Sequence, residues 1–527
     1  MNHSVDLAAP NADDGLTFTG RFAGGLRGDI ARRRPHVFDD FRQGFHPKVL
    51  ASVLFLFFAC LANAIAFGGL TDIVTNGSIG TTEMILATAA GGIVFALFGG
   101  QPLTILGGTG PIVIFTGLLY VACEQLGLPF LATYAWTGIW SGVFLILCAL
   151  TDASALMRYF TRFTDEIFAS LIAVIFIVEA IASMAGPFGA DPPRLSVALL
   201  GVVLSLGTFS IARTLKGAAQ TRFLVGTVRS FLADFGPTIA IAAMTLVALS
   251  LPEIRLAVPA IPERFGTTDG RPWLVDLATI PTWAIFASMV PALMATILLF
   301  LDQNITTRLV NAPGNKLRKG AGFHLDLLIV GLVVAIGSLF ALPWIVAATV
   351  HSLNHVKSLA TTEVVDAGGV QREVVRSVRE TRVSGLAIHA LIACSILILP
   401  LIQLIPMAVL FGLFLFMGFN TLAGNQLWDR FLLWFTDPKL YPETHAVRRV
   451  PIRKIHLFTL IQVAGLVALW ILKASPLGIL FPVLIALLVP LRLALGRWYS
   501  ERELEALDPD EEMEEMEGVL AGGDVHG

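Results

Sequence analysis

Fourteen stretches of this 527-residue chain are apolar over lengths that suit a bilayer: 49–70, 82–99, 103–123, 131–151, 164–187, 195–212, 230–251, 283–301, 324–342, 344–360, 384–402, 405–423, 455–474 and 477–496. A helix needs about 20 apolar residues to cross hydrocarbon, where its backbone must satisfy its own hydrogen bonds. The pattern predicts an all-α membrane protein with 14 transmembrane segments. It excludes a water-soluble domain: 55% of residues are apolar, 14% are charged and mean hydropathy is +0.76, against about 25% charge in soluble domains. A net charge of -3 gives no reason to expect a nucleic-acid partner. Cys60, Cys123, Cys148 and Cys394 all lie in apolar stretches without metal-ligand spacing, so they read as small buried hydrophobes with no disulfide framework.

Residues 1–48 are polar and arginine-bearing, unlike a secretory signal peptide, and form an expected cytoplasmic arm. With 497–527 as an acidic cytoplasmic tail, no soluble domain is expected on either side. The acids between Glu501 and Glu517 read as a solvated charge run. Basic residues set the orientation. They collect before span one (Arg27, Arg32, Arg33, Arg34, Arg42, Lys48) and after spans four (Arg158, Arg162), six (Lys216, Arg222, Arg229) and eight (Arg308, Lys316, Arg318, Lys319). The same holds after spans ten (Arg372, Arg376, Arg379, Arg382) and twelve (Arg430, Lys439, Arg448, Arg449, Arg453, Lys454). The loop 252–282 carries Arg255, Arg264 and Arg271 beside acids and is non-cytoplasmic on this count, which leaves both termini cytoplasmic.

Segments 103–123 and 344–360 are interrupted by Gly, Pro or Thr and sit close behind their predecessors, as discontinuous helices do. Gly91 to Phe98 runs into Gln101-Pro102-Leu103-Thr104-Ile105 and Thr109-Gly110-Pro111; Gly331 to Val334 runs into Leu342-Pro343-Trp344-Ile345-Val346 and Thr349. These fall in spans two to three and nine to ten, matching places in two halves of seven. Seven is odd, so the second half is inverted, which predicts a 7+7 inverted repeat with its site where the two broken helices meet.

A broken helix leaves its first amides unpaired, and two such starts facing each other attract an anion. Thr109, Gly110, Pro111 and Ile112 form one candidate start; Ala348, Thr349, Val350, His351 and Ser352 form the other. The small residues there also suit close helix packing, so both readings stay open. Asp302 ends the run Leu298-Leu299-Phe300-Leu301, and helical spacing puts Thr306 on its face. A carboxylate at mid-bilayer costs roughly 3 kcal/mol on insertion scales, so it should hold a cation, a proton or a partner, unless it reaches the interface near Arg308. His351 either tunes the anion site or packs. His324 and Asp326 read as interface anchors, Glu166 and Asp234 as helix caps, Glu179 as a residue paired within the bundle and Lys473 as a snorkelling side chain. No nucleotide-binding lysine loop, metal-spaced cluster or nucleophile elbow occurs. The reading is a secondary carrier, not an enzyme, with no cofactor and no bound metal.

Several blocks are similar to the bicarbonate transporter family, which includes the band 3 anion exchangers. They are Phe57-Phe58-Ala59-Cys60-Leu61 through Phe67-Gly68-Gly69-Leu70, Gly100-Gln101-Pro102-Leu103-Thr104-Ile105 with Thr109-Gly110-Pro111, and Asp165-Glu166-Ile167-Phe168. Further ones are Gly322-Phe323-His324-Leu325-Asp326-Leu327-Leu328, Pro343 to Val350, Gln426-Leu427-Trp428-Asp429-Arg430, His456-Leu457-Phe458-Thr459 and Val489-Pro490-Leu491-Arg492. The resemblance implies a core domain of spans one to four (49–151) and eight to eleven (283–402) moving against a gate of spans five to seven (152–251) and twelve to fourteen (403–496). It also implies a homodimer through the gate, elevator-like transport, and an anion, bicarbonate or carbonate, between the starts of spans three and ten.

Phe300 to Thr306 resembles the sodium-coupled members, where this Asp and Thr line the cation site; exchangers usually have Glu in place of Asp302. The cation set so implied is Asp302, Thr306, Val346, Ala347 and Thr349, with sodium carried as substrate. His351 stands in place of the exchangers' arginine and of the aliphatic residue of sodium-coupled members, and Thr116 stands where many members have Glu. Borate transporters also keep an Asp here, but Trp344 to Val350 is unlike theirs. A sodium-independent chloride/bicarbonate exchanger is the alternative. The short arm, without the large domain of animal members, and the Ala/Arg-rich usage suggest a bacterial inner-membrane protein.

Overall fold

The apolar segments form helices because a chain in hydrocarbon has no other local way to pair its amides and carbonyls. The computed structural model describes residues 15–508, apart from 193, 219–220, 222, 263–264, 368–369 and 443. The principal helices are α1 (Pro47–Val74), α2 (Thr81–Phe98), α3 (Gly110–Leu126), α4 (Phe130–Leu150), α5 (Arg162–Ala185), α6 (Leu195–Gly217) and α7 (Gly236–Leu249). They continue as α8 (Met289–Val310), α9 (Phe323–Ser338), α10 (Thr349–Leu359), α11 (Arg382–Cys394), α12 (Met407–Leu422), α13 (Ile452–Ala474) and α14 (Phe481–Ala494). Among the described residues, nine helical runs are long and apolar enough to cross a membrane, or up to eleven if two bent pairs each count as one span. One bend, of 68°, joins a short helix ending at Asp234 to α7; the other, of 79°, follows α12.

The protein is mostly helical rather than all-α. Strand β1 (Leu106–Gly107) pairs antiparallel with β2 (Val346–Ala347), Leu106 opposite Ala347 and Gly107 opposite Val346. Strands β3 (Ala360–Ala367) and β4 (Val370–Val378) form a hairpin where the sequence suggests a plain loop. Segment 344–360 thus yields only an eleven-residue helix behind a strand. Segment 283–301 extends the other way: α8 runs on to Val310 and holds Asp302 in its interior, not at its end.

In one group of helices α1 packs on α2, α3, α10 and α11, while α8 packs on α9, α10, α3 and α4; α2 also meets α11, and α4 meets α9. Gly142 and Gly331 permit the last of these contacts: a Cβ on Gly142 would stand 2.6 Å from the Gly331 carbonyl oxygen. In a second group α12 packs on α5 and α6, α6 on α7, α5 on α13 and α13 on α14. The groups meet where α1 touches α7 and α12 and where α8 touches α14. The stretch 252–282 bridges them: the Met407 amide donates to Ala257 O (2.8 Å), and Thr268 donates to Glu83 through its amide (2.7 Å).

Several ionisable side chains stand differently from expectation. Glu166 is no helix cap but a buried partner of Arg430 (2.8 Å). Asp234 closes a short helix instead of opening α7. Asp326, far from an interface anchor, is fully buried and accepts the Gly100 and Gln101 amides (2.6 and 3.0 Å), satisfying the backbone where the chain leaves α2 for β1. Arg382, counted with the loop charges, is also buried and donates to Gly99 O (2.8 Å) at the end of α2. All four cysteines are free, yet only Cys60 and Cys123 are buried; Cys148 is half-buried and Cys394 exposed. The acidic tail beyond 508 lies outside the described residues, as do Arg222 and Arg264.

Candidate functional site

Strands β1 and β2 are each followed by the first residues of a half-length helix, so their pairing brings the starts of α3 and α10 together. Main-chain bonds extend the frame: the Ala348 amide donates to Ile105 O (2.8 Å), and the Ile105 amide donates to Ser352 Oγ (3.0 Å). Neither helix start is closed by a side-chain cap. At α3 the amides of Gly110 and Ile112 stay unpaired within the helix, Pro111 having none; at α10 those of Thr349, Val350 and His351 do. Ala348, expected among the anion ligands, has its amide engaged with Ile105 O. Ser352 likewise works inside the frame. Thr109, Thr349 and His351 are half-buried and Val350 is exposed, while Gly110, Pro111 and Ile112 are buried.

The polar turn of α8 lies against this frame. Thr109 Oγ1 donates to Asp302 Oδ2 (2.8 Å), so the carboxylate meets the start of α3. Arg308, its suggested interfacial neighbour, bonds Phe160 O and Asp165 instead. One turn on, Thr306 Oγ1 shares a hydrogen bond with Thr349 Oγ1 (2.6 Å) and donates to Ala347 O (3.3 Å). Asp302, Thr306, Ala347 and Thr349 therefore form one oxygen-rich cluster beside the two helix starts. Val346 has its backbone in the β1–β2 ladder opposite Gly107. A carboxylate with hydroxyl and carbonyl oxygens is the donor set of a hard monovalent or divalent cation. No group of three or more His, Cys, Asp or Glu side chains able to hold a metal occurs among the described residues.

Supporting residues absent from the sequence-based set complete the frame. Gln303 is fully buried; its Oε1 accepts the Ala347 amide (3.1 Å) and its Nε2 donates to Thr307 Oγ1 (3.2 Å). The polar run from Asp302 to Thr307 inside an apolar helix was the available signal. His355 bonds Leu103 O (2.9 Å) and Ser384 Oγ (2.7 Å), and His389 bonds Gly385 O (2.7 Å) and Leu106 O (3.3 Å), so both brace the backbone of β1 and its approach. Asn63 of α1 meets His351 Nε2 (2.7 Å). Thr116 turns inward to Ile112 O (2.9 Å) and bonds its own helix.

Comparison with known proteins bears on the family and the fold. The HCO3- transporter integral membrane domain matches residues 21–193 and 190–512. The band 3 anion transport protein of Rattus norvegicus is 38% identical over 96% of this chain and 57% of its own length. The sodium-driven chloride bicarbonate exchanger of Homo sapiens is 37% identical over 96% of this chain and 52% of its own. The chain thus spans about half the length of the curated relatives it matches. Among solved structures, the transmembrane domain of the cyanobacterial bicarbonate transporter BicA shares the fold at a TM-score of 0.57 and 17% identity, over 84% of this chain and 97% of that one. Murine Solute Carrier 26 family member A9 in its inward-facing state does so at 0.58 and 14%, over 88% and 71%. The relatives are membrane anion transporters and not enzymes, and on the full-length domain match this multi-pass membrane chain belongs to the bicarbonate transporter family.

Proposed function

We propose that the chain is a secondary transporter that moves bicarbonate or carbonate together with sodium. The observation that carries this reading is the contact of Asp302 with Thr109, and of Thr306 with Thr349 and Ala347, which sets a cation cluster directly against two uncapped helix starts. Sodium at Asp302 and an anion at the helix starts lower each other's cost of crossing an apolar barrier, so the fully loaded state crosses more readily than a half-loaded one. Uptake of labelled bicarbonate into proteoliposomes, with and without a sodium gradient, tests the reading. Sodium-independent uptake at full rate sinks the coupling.

In this reading the chain has fourteen spans in two inverted halves of seven, both termini cytoplasmic, in a bacterial inner membrane. What supports the repeat is that helix contacts recur under exchange of each helix with the one seven places on: α1–α11 with α8–α4, α1–α10 with α8–α3, α2–α11 with α9–α4, and α6–α12 with α13–α5. The first packing group, α1–α4 with α8–α11, serves as the core that slides against a gate of α5–α7 and α12–α14, with a second copy docked through the gate.

The 38% identity to a band 3 anion transport protein favours a second reading, sodium-independent exchange of bicarbonate for chloride or another inorganic anion such as borate. Chloride-driven bicarbonate flux without sodium identifies it.

A further inference from the structure

His351 lies in the first turn of α10, one of the two starts proposed to face the anion, and its ring meets the amide of Asn63 from the middle of α1. Nε2 of the ring and Nδ2 of the amide are 2.7 Å apart. The other two polar atoms of this pair, His351 Nδ1 and Asn63 Oδ1, are sealed from the surface and have no partner among the described residues. Buried polar atoms without partners are costly and rare, and two on one bonded pair beside a ligand site ask for an occupant.

The pair's chemistry limits what that occupant is. With the amide donating to Nε2, the ring proton sits on Nδ1, so the two atoms without a partner are a donor (Nδ1–H) and an acceptor (Oδ1). If the amide is turned over, Nε2–H donates to Oδ1, and the free groups become the Asn63 N–H and the ring Nδ1 lone pair. Either orientation of a neutral ring leaves one donor atom and one acceptor atom without a partner, so the conclusion does not depend on how the amide is assigned. The ring's hydrogen-bond partner is an amide, not a carboxylate that would hold it charged.

We infer that Asn63 and His351 together select an anion that still carries a proton. Bicarbonate has oxygens to accept from the free donor and an O–H to give to the free acceptor. Carbonate, nitrate and halides only accept, and each leaves a lone pair facing a lone pair. Nitrate is the informative competitor, because it shares bicarbonate's planar three-oxygen shape and single charge and differs in lacking the hydrogen. The inference rests on the anion site proposed above and names its specificity.

Competition against labelled bicarbonate uptake in proteoliposomes tests it. In the wild-type protein, nitrate and chloride should compete at least about tenfold more weakly than unlabelled bicarbonate, the worth of one good hydrogen bond. The double variant Asn63→Leu with His351→Leu, which removes donor and acceptor together in either orientation, should bring nitrate to within about twofold of bicarbonate, and His351→Gln, which keeps a donor and an acceptor, should retain the preference. Nitrate competing as well as bicarbonate in the wild type overturns the inference without recourse to any variant. So does a double variant Asn63→Leu with His351→Leu that loses affinity for both anions by the same factor. Wild-type protein that carries no bicarbonate under any gradient removes the transport reading itself, an outcome distinct from both.

Discussion

The hydroxyl of Thr109 and the carboxylate of Asp302 stand 2.8 Å apart and tie the start of α3 to the middle of α8. The aspartate contributes both shape and charge, and Asp302→Asn separates the two. The amide can still accept from Thr109, so the fold should survive, but it cannot balance a cation. A hydrogen bond to a charged group is worth about 1.5–3 kcal/mol, so sodium-driven uptake should fall roughly ten- to hundredfold. Melting temperature and flux measured on the same preparation check this; an unchanged sodium dependence rules out Asp302 as the cation ligand.

Helices α2 and α11 approach closely at Gly92, where an added Cβ would stand 1.8 Å from the His389 ring. Gly92→Ala should therefore cost about 1–3 kcal/mol or more by overpacking, lowering the melting temperature and the yield of folded protein. The same substitution should cost markedly less in a His389→Ala background, where the ring it meets is gone. Gly28→Ala on the arm, where nothing lies near, is the neutral control.

Arg430 donates to both Glu166 (2.8 Å) and Gln462 (2.9 Å), in a buried cluster joining α5, α13 and the short helix after α12. Arg430→Ala leaves a carboxylate buried and unpaired, at about 3–5 kcal/mol. Arg430→Met with Glu166→Gln removes both charges and should be markedly more stable than Arg430→Ala in thermal melts.

The helix Gly24–Arg33 of the N-terminal arm is docked by Asp152, which accepts the Gly25 amide (2.8 Å) and bonds the Thr19 hydroxyl. Burial pushes the Asp152 carboxyl up, but the Thr19 hydroxyl and the Gly25 and Thr19 amides outweigh it and hold the group below its ordinary value. A carboxyl lowered by folding stabilises the docked arm above the ordinary carboxylate range and loses that contribution as pH falls through its folded value. Asp29 on the same helix is raised by burial and acts in the opposite sense. Asp29 is common to both proteins, so the comparison isolates Asp152: Asp152→Asn should raise hydrogen exchange over residues 19–33 at neutral pH, and its excess over the wild type should shrink as acid protonates Asp152.

The apolar runs and the interrupted segments were legible because hydrocarbon imposes one periodic solution on the backbone and marks breaks with Gly, Pro and Thr. Asp302 and Thr306 were legible for a related reason, being polar where polarity is costly. Roles set by distant partners were not. Asp326 reads as an interfacial residue until Gly100 and Gln101 are folded over it, and Glu166 as a cap until Arg430 arrives from 264 residues away. Asn63 looks like one polar residue in an apolar helix, and its meaning depends on His351, 288 positions on. That the Ala348 amide bonds Ile105 O was equally hidden, because helix-start geometry does not reveal a bond to a distant segment.

The two-residue ladder between Leu106–Gly107 and Val346–Ala347 pairs main chain with main chain. Its pairing does not draw on the side chains of Thr109, Asp302, Thr306, His351 or Asn63. Substitutions at those five positions should therefore alter what is bound while the strand register between the two helix starts stays the same.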